Sequence, residues 1–422
     1  MIESGTYTEF SLDLHNKVSP LQLPVTGTIE VTDRCPLNCV HCYNNLPMND
    51  TAARSRELSS EDLKRVLDEL AELGCMWLLL SGGEIFARHD FLEIYTYAKT
   101  KGFFVTLFTN GTMITERIAD YLVQYPPFAI EITLYGATKG TYEALTGIPG
   151  SYEKCLRGIK LLLDRSLPLK LKSVAVSINV HELGMMQQMA DSLGLEFKFD
   201  GMMNPRIDCS QSPLAVRLSP AEIVALDLED PTRVSEFRRV ARELVHPLPT
   251  EGEIGSVYNC GGGVNSFAID PYGNMTICVL SHVDEYNVKE GSVREGWEKF
   301  LRTVRKKKAT RITKCTRCGL KSFCGSCAAT AELEAGDPEA PVDFLCRVAH
   351  LRADVFEIPV PEHGECEYCV DGSHREEIDE MAALVREKNL SELQAARAAM
   401  PLVQTASSCS TGSCGACSSH AR

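Results

Sequence analysis

The chain has 422 residues with 43 basic and 57 acidic side chains, and its net charge of −14 argues against nucleic-acid or membrane-surface partners. The length predicts two or three domains, and 44% apolar with 24% charged residues excludes global disorder. Eighteen cysteines are the abnormal count; with no signal segment at the start, a reducing cytoplasm is expected, where thiols point to metal or catalysis rather than to disulfides.

A polar lead-in of about 26 residues carries Pro20 and Pro24. Strand patterns then recur at 27–32, 76–80, 104–108, 129–134, 171–178 and 196–199. Helical patterns fall between them at 59–73, 91–101, 116–125, 151–165 and 181–193; the first has Ser59 as N-cap, Asp62 three residues on and Gly74 as stop. The longest apolar run, Cys75 to Leu80, is far short of the roughly 20 residues a membrane span needs. Six βα units over residues 27–203 predict parallel strands with crossover helices. They suit a partial (β/α)6 TIM-like barrel or an open doubly wound sheet, with chemistry at the carboxyl ends of the strands. No G-x-G-x-x-G follows the first strand, which weakens a dinucleotide fold. Residues 204–259 read as a linker with helices at 219–227 and 231–244. Residues 260–358 read as a small cysteine-rich α+β domain, and 359–422 as a charged helix from 374 to about 399 followed by a flexible Ser/Gly/Cys-rich tail.

Cys35, Cys39 and Cys42 form C-x3-C-x2-C in TDRCPLNCVHCYNN, directly after the first strand, and the next cysteine is Cys75. One short loop can bring three thiolates to one site. A zinc site usually closes with four ligands, whereas three thiolates on an iron–sulfur cubane leave one iron open to a cofactor or substrate. Ser81-Gly82-Gly83-Glu84 ends the second strand: the glycines permit close backbone approach, and the carboxylate can meet an ammonium.

With CPLNCVHC as cluster loop and SGGE as methionine-binding loop, the sequence resembles radical SAM enzymes over about residues 27–200. The resemblance implies that Cys35, Cys39 and Cys42 hold a [4Fe–4S] cluster whose open iron is chelated by S-adenosylmethionine (SAM). It implies that Ser81, Gly82, Gly83 and Glu84 form the loop that holds the methionyl amine, and that His41 lies against the adenine. Further SAM contacts are implied at Asn110, Thr133, Ser177 and Asn179. The implied chemistry is one-electron cleavage of SAM to a 5′-deoxyadenosyl radical that abstracts hydrogen from a substrate carbon.

A second set runs Cys260-x12-Gly273-x4-Cys278, then Cys315-x2-Cys318-x5-Cys324-x2-Cys327, with Cys346 closing it. Seven thiolates exceed one tetrahedral zinc. The ordering resembles the SPASM domain of radical SAM maturases, departing from many members in the x2 rather than x3 spacing before Cys327. By that resemblance Cys315, Cys318, Cys324 and Cys346 hold an outer auxiliary cluster, and Cys260, Cys278 and Cys327 an inner one that is one protein thiolate short. Two roles stay open for such clusters: accepting the electron left on a substrate, or stapling a segment with little apolar core.

Cys75 and Cys155 read as core thiols and Cys209 as a loop cysteine, while Cys366, Cys369, Cys409, Cys414 and Cys417 lie outside the seven-cysteine pattern. The family implies maturation of a ribosomally made peptide by a thioether or carbon–carbon crosslink. The alternatives are oxidation of a protein side chain as in sulfatase maturation, action on a cofactor or tetrapyrrole precursor, and a non-catalytic iron–sulfur electron carrier. A flavodoxin or ferredoxin reductant and a separate leader-binding protein are expected as partners, with no nucleic acid and no membrane.

Overall fold

The computed structural model describes residues 7–243, 254–360, 366–369 and 371–399. Six strands, β1 (Thr26–Glu30), β2 (Trp77–Ser81), β3 (Phe104–Thr109), β4 (Ala129–Thr133), β5 (Leu169–Val174) and β6 (Phe197–Asp200), each pair in parallel with the next. Helices Ser60–Glu72, Phe91–Thr100, Glu116–Gln124, Ser151–Leu163 and Leu183–Ser192 lie between them. The first shows why such segments fold: Ser59 and Asp62 cap each other reciprocally, and Leu63, Val66, Leu67 and Leu70 form one buried face. Apolar strand residues such as Leu78, Leu80, Val105, Leu107, Ile130, Ile132 and Leu171 fill the core. The fifth strand ends at Val174 rather than near residue 178, because the Ser177 N–H donates to the Val216 carbonyl instead of a neighbouring strand.

Among the described residues the sheet has nine strands. β7 (Ser266–Ile269) pairs in parallel with β1, placing Thr26 beside Ser266 and Ile29 beside Ile269. β8 (Asn274–Thr276) and β9 (Tyr286–Asn287) follow antiparallel, giving the order β9-β8-β7-β1-β2-β3-β4-β5-β6. The β7–β8 turn is built on Asp270, whose carboxylate accepts from the Tyr272 and Asn274 N–H groups. The boundary expected at residue 260 therefore moves. One unit holds the described residues of 1–174, 178–200 and 258–307, and a second those of 175–177, 201–257 and 308–422.

In the second unit the helix Asp343–Val355 packs on Pro220–Leu228 and Arg375–Glu387. Its Arg352 and Arg233 both hold the buried Asp227 carboxylate, at 2.9 and 2.7 Å. The described residues of the second unit are helices joined by one isolated bridge, Ser256 to Lys308, while the region 260–358 as a whole carries both strands and helices. The charged helix expected from 374 is two helices, Arg375–Glu387 and Leu390–Ala399. Asn389 restarts the second by exchanging hydrogen bonds with Glu392. No helix among the described residues is long and apolar enough to cross a membrane. Cys409, Cys414 and Cys417 lie outside the described residues.

Candidate active site

The parallel register sets Glu30 beside Ser81, so the loops after β1 and β2 leave the same end of the sheet side by side. The loop after β1 closes on itself where Arg34–Cys35 pairs with Leu46–Pro47. Its tip is tied down by Asn38 and Val40, whose N–H groups donate to the carbonyls of Thr146 and Leu145. Beneath it, the buried Arg34 guanidinium grips Glu57 at 2.8 and 3.0 Å, and the Thr32 hydroxyl donates to the same carboxylate. Cys35 and Cys39 are buried and Cys42 is partly buried.

The glycines of SGGE meet backbone. The Gly83 N–H donates to the Thr32 carbonyl at 2.7 Å and the Glu84 N–H to that of Arg34 at 3.0 Å. A Cβ on Gly82, whose φ is +131°, would lie 2.1 Å from the Thr32 oxygen, and one on Gly83 would lie 2.3 Å from that of Asp33. These residues are glycine because the second loop lies flat on the backbone leading to Cys35. Glu84 is buried, and burial raises its carboxyl to about 7. The carboxylate accepts from the Thr109 hydroxyl at 2.7 Å, the Asn110 N–H at 2.9 Å and the Phe86 N–H at 3.3 Å.

Asn110, just past β3, has its carbonyl oxygen fixed by the Thr112 N–H and hydroxyl and points its amide at Cys35 Sγ, 3.5 Å away. Thr133 ends β4 and is half-buried. The fully buried Asn179 amide donates to the carbonyls of Tyr135 and Val174. Ser177 falls in the second unit, so the fold assigns it to a different body from the loops above. His41 has a buried Nδ1 without a hydrogen-bond partner, and burial lowers the ring to about 4.

Sequence reasoning missed several neighbours. Tyr135 hydrogen-bonds Cys39 and sets its ring 5.2 Å from His41. Glu30 and Asp33 are buried under the loop, Glu30 accepting from Tyr43 at 2.5 Å and Asn44 at 2.9 Å, and burial raises Glu30 to about 7. Glu131 meets Lys198 at 2.9 Å and Lys172 at 3.4 Å, and burial lowers Lys172 to about 7. A polar residue alternating with core residues in a strand is the signal that could have marked these.

The donor set fits an iron–sulfur cluster. Burial first, then the Glu84 and Cys42 charges, push the Cys35 thiol up to about 12, so thiolates need a compensating cation here. The three sulfurs do not converge within 4.8 Å as ligands of a single ion would, and corner thiolates of a cubane stand farther apart.

In the second unit Cys315, Cys318, Cys324 and Cys346 share one locality. Burial raises the Cys324 thiol to about 11, and Cys318 and Cys315 push it further the same way. Cys346 is raised by burial and by all three of the others. Cys327 caps the helix Ala328–Ala335 through its sulfur. Cys260 and Cys278 belong to the first unit and Cys327 to the second. Gly262 lets the Cys260 loop close on the strand: a Cβ there would meet the Ile277 carbonyl at 2.6 Å and Cys260 Sγ at 3.4 Å.

Residues 29–192 match the profile of the Radical SAM superfamily. An AdoMet-dependent heme synthase of Methanosarcina barkeri is 26% identical over 328 residues, covering 73% of this chain and 92% of that protein. The mycofactocin maturase MftC of Mycobacterium tuberculosis is 28% identical over 358 residues, covering 79% and 89%. In fold the chain resembles SuiB of Streptococcus suis bound to its precursor peptide SuiA, with a TM-score of 0.60, 16% identity and 82% of each chain covered.

Proposed function

We propose that this chain, which carries a Radical SAM domain over residues 29–192, is a SAM-dependent radical enzyme acting on a peptide. The observation that carries the reading is the seating of SGGE on the backbone of the three-cysteine loop, from neighbouring parallel strands. Cys35, Cys39 and Cys42 would hold the [4Fe–4S] cluster, with one iron left for SAM. When bound, that cluster supplies the electron that cleaves SAM to a 5′-deoxyadenosyl radical.

The remaining work belongs to the chain. Glu84 holds Thr109 and Asn110 in place, and Asn110 in turn orients a donor onto Cys35. The backbone of Gly82 and Gly83, beside Ser81, is assigned to the methionyl amine. His41, neutral at pH 7, is assigned to the adenine through its unpartnered Nδ1. Thr133 and Asn179 complete the proposed SAM contacts. Burial of Cys35, Cys39, Glu84 and Asn110 keeps water from the reacting bond. Cys315, Cys318, Cys324 and Cys346 are assigned to an outer auxiliary cluster, and Cys260 and Cys278 to the ligand set of an inner one. A flavodoxin or ferredoxin reductant, a separate leader-binding protein and a cytoplasmic setting belong to the same reading.

The peptide substrate is supported by MftC, a maturase that aligns over most of both chains. A tetrapyrrole substrate is the second reading, favoured by the heme synthase, which aligns over 92% of its own length. Anaerobic incubation of the iron-loaded protein with SAM and dithionite tests the core claim: 5′-deoxyadenosine is expected, and its absence with full iron occupancy refutes radical chemistry. Mass spectrometry then separates the substrates. Loss of two hydrogens from a co-expressed peptide supports the first reading, and turnover of an iron-bearing tetrapyrrole alone supports the second.

A further inference from the structure

Cys366 and Cys369 stand outside both cysteine sets, yet the fold brings a histidine to them. His350 lies on the helix Asp343–Val355, one turn after Cys346, and is 3% exposed. Its Nδ1 is 2.8 Å from the Cys346 carbonyl oxygen. A carbonyl can only accept, so Nδ1 carries the proton and Nε2 presents its lone pair. That nitrogen lies 3.5 Å from Cys366 Sγ and 3.5 Å from Cys369 Sγ. The three ligand atoms all fall within 4.8 Å of one another, which no other His, Cys, Asp or Glu trio does among the described residues.

These distances suit one ion. Zinc takes nitrogen at about 2.0 Å and sulfur at about 2.3 Å, and at a tetrahedral angle those bonds set N and S about 3.5 Å apart. The segment carrying the thiols is a closed knuckle. The Cys369 N–H donates to the Cys366 carbonyl at 3.2 Å, the Gly372 N–H to Cys369 at 2.9 Å, and the His374 N–H to Glu367 at 2.7 Å. Glu367, between the cysteines, pairs with Lys314 at 2.6 Å, and Tyr368 is buried against Cys346 and Ile378.

We propose that His350, Cys366 and Cys369 form a mononuclear tetrahedral Zn(II) site whose fourth corner is taken by solvent or an exogenous ligand. Two soft thiolates and a neutral imidazole, its far nitrogen fixed by a carbonyl, are the donor chemistry and outer support zinc prefers. Binding releases two thiol protons to the buffer and involves no change of oxidation state. The ion fastens the knuckle to the helix that carries Cys346, and so steadies one member of the outer thiol quartet.

The test uses the full chain, expressed with ample zinc and iron, purified anaerobically, and measured for both metals and by zinc X-ray absorption. About one zinc per chain is expected, with two sulfur ligands and the remainder nitrogen or oxygen. The Cys366→Ala/Cys369→Ala double variant should lose the zinc and keep its iron. His350→Cys guards against a merely unfolded variant, since it should retain zinc with a third sulfur in the absorption spectrum. Zinc-free wild type overturns the proposal, and so does loss of iron rather than zinc in the double variant. None of these readouts depends on SAM cleavage, so the site and the radical reading stand or fall separately.

Discussion

Asn110 donates its side-chain amide to the sulfur of Cys35 at 3.5 Å while its backbone N–H is held by Glu84 at 2.9 Å. One residue thus couples the acidic end of SGGE to the first cysteine of the three-cysteine loop. Replacing Asn110 by Ala leaves Cys35 without that donor and Thr112 without its acceptor, a loss of about 1–3 kcal/mol if both groups stay buried. Slower 5′-deoxyadenosine formation with iron content retained is expected, measured by single-turnover chromatography.

Glu84 gives the metal-free protein a pH dependence. Folded Glu84 binds its proton up to about pH 7, whereas the same side chain ordinarily titrates at 4.5. The folded state therefore holds the extra proton between those values, and stability from this group declines as pH rises from 4.5 to 7, by about 3 kcal/mol in all. Urea unfolding of the metal-free wild type and Glu84→Gln at pH 5, 6, 7 and 8 measures it. The wild-type-minus-variant difference should fall with pH; a flat difference would contradict the assignment.

Two glycine substitutions should behave oppositely. Gly83→Ala drives a Cβ to 2.3 Å from the Asp33 oxygen and 2.8 Å from that of Arg34, both backbone, so the two loops must separate. Loss of SAM cleavage and a stability drop of about 2 kcal/mol or more are expected. Gly140→Ala, in the helix Lys139–Thr146 with open space around the added methyl, should instead stabilise by about 0.5–1 kcal/mol. Parallel thermal melts of both variants compare them.

Glu57 is the one acid that Arg34 and Thr32 share, buried with Arg34 at 6% side-chain exposure each. Glu57→Ala strands a buried guanidinium next to Cys35 and should cost about 3–5 kcal/mol in urea unfolding. Iron retention at the first cluster should fall with it. Restoring a neutral acceptor with Glu57→Gln should recover part of both.

Cys35→Ala should remove one cluster's iron and all 5′-deoxyadenosine, whereas Cys324→Ala should remove iron and leave SAM cleavage intact. Iron counting beside the SAM assay distinguishes the two, because the cysteines sit in different units. Loss of SAM cleavage in Cys324→Ala would refute the separate assignment.

The βα rhythm, the capping of Ser60–Glu72 by Ser59 and Asp62, and the two loops after β1 and β2 were legible because each rests on residues close in sequence. The partnership of β7 with β1 was not: Ser266 and Thr26 are 240 positions apart, and no local pattern announces which strand a lone apolar run will join. The same holds for His350, which no local pattern ties to a cysteine until the fold carries Cys366 and Cys369 to its ring. The glycines of SGGE were read as room for a ligand, and the nearer reason is the backbone of Thr32 and Asp33. Tyr135 and Glu30 went unnoticed because their significance lies in what they touch.

The late return of β7 to β1 also bears on biogenesis. While the ribosome is still short of residue 266, the strand that launches the three-cysteine loop has an unpaired flank, open to pairing with another nascent chain. Iron delivery is then best timed after translation has passed that point, and premature termination upstream would leave a product prone to aggregate rather than a smaller working enzyme.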